Sequence, residues 1–84
     1  MKEKLKEYRN RIEAISHDIV ALAEKRAYVA HIIAKLKKEH SLAVIDEERE
    51  QTLLTRLQAG TTLPKTMVKD LFEVIIKHSR NIQQ

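Results

Sequence analysis

The sequence predicts an all-α fold with three helices per chain, one long and two shorter, arranged as an intertwined helical homodimer. Three observations lead there. The 84 residues hold one glycine, one proline and few aromatic residues, with a third of positions charged, a composition that suits helices better than sheets or disordered tails. From about residue 4 to residue 39 the chain has no breaker, and Leu5, Tyr8, Ile12, Ile15, Ile19, Leu22, Arg26, Val29, Ile33 and Leu36 recur at alternating spacings of three and four, the pattern of a heptad seam. Finally, a chain this short buries little more than half of its unfolded surface. It has no cysteine for a disulfide, and His17, His31, His40 and His78 lack the spacing of a structural metal site. Oligomerisation is the remaining route to a stable core.

The first helix, expected over about residues 4–40, would be roughly 54 Å long at 1.5 Å per residue. The rest of the chain cannot cover it, so two copies would have to cover each other. Ala23, Ala27, Ala30 and Ala34 form a second stripe along which another helix can approach closely. Arg26 interrupts the apolar seam. A buried guanidinium without a partner costs several kcal/mol, so Arg26 either sets the register, reaches solvent along its stem, or meets a ligand. Lys37, three turns further on, projects from nearly the same face, about 16 Å away.

The first helix should fray at His40-Ser41, and a short connection leads to Asp46. The second helix, about 46–58, opens on Asp46 as an N-cap with acidic residues in its first turn. Asp46, Arg49, Glu50 and Leu53 share one face at i, i+3, i+4 and i+7. Either the helix dipole explains those charges, or they edge a pocket for a polar ligand. Gly60 is a natural stop. Pro64 suits the start of a third helix, about 64–83, which carries Met67, Val68, Leu71, Phe72, Ile75 and Ile76 inward, followed by Ser79 and Gln83. Residues 1–84 thus read as one domain.

The net charge is +4. The excess lies on the first helix, since residues 1–40 carry ten Lys or Arg against six acidic groups and residues 41–84 six of each. Such a balance suits an anionic partner. Nucleic acid is disfavoured, because no Lys/Arg block exceeds two residues and few rings are available for stacking. No apolar run approaches the roughly 20 residues of a membrane span, and no signal-peptide core is present, so no membrane partner and a cytoplasmic location are expected. No nucleophile–base spacing, glycine-rich phosphate loop or metal motif can be read. The remaining charged and amide side chains can bind, orient and stabilise developing charge.

Taken in order, Arg9-x-x-Ile12-x-x-Ile15, Glu24-Lys25-Arg26, Lys37, Asp46-x-x-Arg49-Glu50 and Ser79-x-x-x-Gln83 resemble the all-α (AroQ-type) chorismate mutases, and the likeness spans nearly the whole chain. It departs in the link from Gly60 to Pro64, a few residues shorter than in some relatives. The resemblance implies the Claisen rearrangement of chorismate to prephenate, with no cofactor and no metal. It assigns Arg26 and Arg9 to the two carboxylates of the dianionic substrate, Lys37 and Gln83 to the ether oxygen, and Glu50 with the Asp46 backbone region to the ring hydroxyl. Ser79 would support a carboxylate, and Arg49 would order the site and help bind the substrate. The catalytic set is therefore Arg26, Lys37, Glu50 and Gln83.

Helix geometry bears on one part of this assignment. Arg9 and Arg26 lie about 25 Å apart along one helix, too far for one small ligand to touch both. An antiparallel homodimer would bring Arg9 of one copy to Arg26 of the other and make two shared sites. Two other readings remain at this point, an isochorismate-pyruvate lyase of the same fold and a non-catalytic helical dimerisation module. The lyase is disfavoured by Glu50 and Ser79, the module by Arg26 and Ser79, where it would need apolar residues.

Overall fold

Three helices follow one another: α1 over Lys2–Glu39, α2 over Glu47–Ala59 and α3 over Lys65–Gln83. The computed structural model describes residues 1–83; the side chain of Gln83 and all of Gln84 lie outside the described residues. The fold is all-α with one long helix, as the composition and the seam predict.

The 38 residues of α1 correspond to about 57 Å of helix, so α1 is itself the long axis of a molecule measuring 59 × 24 × 16 Å. It ends in a Schellman arrangement: the Leu42 N–H donates to the Lys37 carbonyl at 2.8 Å and the Ser41 N–H to the Lys38 carbonyl at 3.3 Å. Ser41 takes the left-handed position, with φ 54°. That role favours glycine, yet Gly60, which ends α2, has φ −88° and leaves its freedom unused.

α2 begins where Asp46 predicts. Its side chain accepts from the Arg49 N–H at 3.0 Å, satisfying one orphan donor of the first turn, and its carbonyl accepts the first intrahelical bond, from the Glu50 N–H at 3.1 Å. At the start of α3, the Pro64 carbonyl accepts from Met67 at 3.0 Å and Val68 at 3.2 Å. Proline needs no donor in that place.

α1 and α2 each pack on α3, and not on one another. The alanine stripe is only partly covered: Ala30 is 5 % exposed, Ala27 and Ala34 are half-buried, and Ala23 is exposed. Apart from Ala30, Val68 is the buried apolar residue among the described residues. Such a core is far too small for an isolated domain. The seam explains where the missing burial lies. Every residue from 1 to 25 is exposed, including Leu5, Tyr8, Ile12, Ile15, Ile19 and Leu22, with Ile12 at 65 %.

Overall dimensions agree. The radius of gyration is 16.6 Å, against about 12 Å for a compact domain of this length. The accessible surface is 7579 Å², roughly 2,400 Å² more than the ~5,200 Å² of a compact monomer of this mass. No helix among the described residues is long and apolar enough to cross a membrane.

Candidate functional site

The heptad seam changes its role at Arg26. From that residue on, Arg26, Val29 and Ile33 of the seam line a cleft of about 340 Å³, while Leu36 stays exposed. From α1 come Arg26, Val29, Ala30, Ile33 and Lys37, so two cations stand at the ends of an apolar floor. The connection supplies Val44, α2 supplies Asp46, Arg49, Glu50 and Leu53, and α3 supplies Ile76, Ser79 and Arg80. The i, i+3, i+4, i+7 face opened by Asp46 therefore does both things the sequence allowed: it caps the helix and it edges a pocket.

Three cleft cations, Arg26, Lys37 and Arg80, already have a partner within the chain. The Arg26 guanidinium donates from Nη1 to Ser79 Oγ at 2.5 Å, joining α1 to α3. Lys37 donates from Nζ to the Val44 carbonyl at 2.8 Å, so the residue whose own carbonyl closes α1 also holds the following connection with its side chain. Arg80 grips Glu50 with two bonds, Nε to Oε2 at 3.2 Å and Nη2 to Oε1 at 2.5 Å, the fork geometry in which arginine binds carboxylates best. Both side chains of this pair are partly buried. The hydrogen bond to Glu50 holds the Arg80 guanidinium above its ordinary pKa; desolvation opposes this, and the charges of Glu50 and Glu47 add to it.

Cations outnumber carboxylates in the cleft. Arg26, Lys37, Arg49 and Arg80 face Asp46 and Glu50, which leaves a formal excess of two positive charges for an anionic ligand. Among the described residues no group of three or more His, Cys, Asp or Glu is placed to hold a metal ion.

Of the site residues expected from sequence, the structure brings Arg26, Lys37, Asp46, Arg49, Glu50 and Ser79 to this one cleft. Arg9 lies elsewhere, in a shallow depression near the start of α1 with Lys2, Leu5, Lys6 and Asn10. Gln83 closes α3, and its side chain lies outside the described residues. Arg80 is the functional candidate that sequence reasoning missed. An arginine in the polar last turn of a helix reads as solvated, and its partner lies 30 residues away. The available signal was Glu50 itself, a carboxylate on an inward face that needed a cation.

A cleft with surplus positive charge, three fixed cations and an apolar floor can grip a small dianion without a cofactor. Comparison with known proteins identifies the lineage: the sequence model of the family Chorismate mutase type II matches residues 8–84. The chain belongs to this family. The chorismate mutase of Methanocaldococcus jannaschii is 26 % identical over 87 aligned residues, covering all of this chain and 88 % of that protein. A solved structure of a conserved hypothetical protein from Pyrococcus furiosus superposes with a TM-score of 0.81 at 34 % identity, covering 96 % of each chain. Chorismate mutase type II is an all-α enzyme family, and both the three-helix all-α class with one long helix and the family expected from sequence stand.

Proposed function

We propose that this protein converts chorismate to prephenate in a site completed by a second copy of the chain. The observation that supports this most is the cleft itself, where Arg26, Lys37, Asp46, Arg49, Glu50, Ser79 and Arg80 converge with an excess of two positive charges, the complement of a dianion. The reaction breaks one C–O bond and forms one C–C bond in a single pericyclic step, so it asks for positioning and for donors where charge develops. It needs no cofactor.

In this reading Arg26, supported by Ser79, binds one carboxylate, and Arg9 of a second copy binds the other. Lys37 and Gln83 donate to the ether oxygen, whose negative charge grows as the C–O bond lengthens, so their bonds strengthen in the transition state. Glu50, beside the Asp46 backbone, accepts the ring hydroxyl, and Arg49 orders the site around the substrate. The cytoplasm is the compartment proposed for the reaction.

The dimer is supported by the surface left open. Two copies covering their surplus of about 2,400 Å² each would bury roughly 4,800 Å², within the range of obligate homodimers. Incubating the purified protein with chorismate and identifying the product tests the reading. Prephenate supports it; pyruvate, or unchanged chorismate, overturns it.

A further inference from the structure

We propose that Arg80 is a positioning residue for this reaction: by holding both oxygens of Glu50 it keeps that carboxylate at the cleft edge, directed to accept the substrate's ring hydroxyl. The inference rests on the proposed chorismate reaction and adds to it a residue from α3 that touches Glu50 rather than substrate.

The argument starts from where the pair stands. Glu50 and Arg80 line the substrate cleft on one side and an outer groove between α2 and α3 on the other, so together they form the wall between the two. The outer groove also carries Lys77, Glu47 and Lys69, the last paired with Glu73 at 3.9 Å. A glutamate side chain has three rotatable bonds, and Glu50 is 27 % exposed. Without Arg80 it is free to swing outward into that groove, toward Lys77, and leave the hydroxyl without an acceptor. Arg80 opposes this with a planar two-point grip, which fixes the plane of the carboxylate as well as its position. The grip does not exhaust Glu50. An ionised carboxylate offers about four acceptor sites, and Arg80 takes two.

Steady-state kinetics with chorismate, on wild type, Arg80→Met, Arg80→Lys, Glu50→Gln and the Arg80→Met/Glu50→Gln double variant, test the inference, with a thermal melt of each. Arg80→Met should lower kcat/KM about tenfold, because small misplacements of a positioning group cost one to two orders of magnitude. KM should rise, since the hydroxyl contact exists in the ground state as well. Arg80→Lys, which keeps the charge but not the fork, should fall between. In the Glu50→Gln background, Arg80→Met should change kcat/KM by less than about twofold, as expected for two residues acting as one unit. An equal loss in both backgrounds would mean that Arg80 acts on the substrate directly and overturns the inference. So does an unchanged Arg80→Met, or a fall in kcat at constant KM with a lowered melting temperature, which marks a structural role only. Failure of the wild type to form prephenate overturns the proposed reaction and this role with it.

Discussion

If each site draws Arg26 from one chain and Arg9 from the other, two inactive variants should restore each other's activity by a calculable amount. Along α1 the two arginines are separated by about 25 Å. The cleft extends from Arg26 toward Lys37, away from Arg9. Arg9→Ala and Arg26→Ala should each be nearly inactive as homodimers, every site lacking one carboxylate grip. After equimolar mixing and random exchange, about half of the dimers are mixed, and each mixed dimer has one site with both arginines and one with neither. Recovery should therefore reach about a quarter of the activity of the same amount of wild type. The reciprocal experiment has the opposite sign: an equal amount of the Arg9→Ala/Arg26→Ala double variant, exchanged into wild type, should remove about half of the activity, because mixed dimers then have no complete site. Exchange is verified by native mass spectrometry of differently tagged chains, and activity is followed by chorismate consumption. Absence of recovery in verified heterodimers would refute the shared site.

Three further outcomes follow from particular contacts. Lys37→Ala should lower kcat by about 10²–10³-fold, the cost of losing one donor at a site of developing charge, with KM less affected; equal kcat in steady-state assays refutes its transition-state role. Activity should not require acid, because the Gln83 amide needs no proton and Arg80, whose pKa is raised by Glu50, stays charged across roughly pH 6–9. The raised value also means that the stability contributed by the Arg80 charge is present throughout that range and is lost as the pH rises to strongly alkaline values. A pH–rate profile confined below about 4.3, the ordinary glutamate value, contradicts the amide's role. Ser41→Gly should stabilise the protein by about 0.5–1 kcal/mol in denaturant melts, since the left-handed position costs a non-glycine residue about 1–2 kcal/mol and glycine's greater unfolded-state freedom returns part of that. A destabilised Ser41→Gly refutes the strain assigned to that turn.

The parts of the fold legible in sequence were those with a period or a stop. The seam from Leu5 to Leu36 specifies a single long helix, and Asp46, Gly60 and Pro64 mark the ends of elements because each satisfies or lacks a particular backbone group. The site was legible where a polar residue broke an apolar pattern: Arg26 in the seam, Ser79 at the end of the α3 stripe. What could not be read were the pairings. Whether Arg26 meets Ser79, Lys37 the Val44 carbonyl, or Glu50 an arginine depends on how three helices are laid together, and spacing along one helix carries no information about that. The left-handed turn was not legible either: Gly60 ends α2 as expected but without a positive φ, and the tight reversal after α1 falls on Ser41, where the Schellman bonds of Lys37 and Lys38 require it.

The bond from Lys37 to the Val44 carbonyl ties the connection after α1 to the side chain that, on the proposed reading, meets the ether oxygen. An ammonium carries three N–H donors, so a carbonyl that takes one of them fixes the position of the nitrogen without exhausting it. On the proposed reading the donor is therefore held in place by the chain's own backbone before chorismate arrives, and little reorganisation is left to make when the breaking C–O bond loads the ether oxygen with charge.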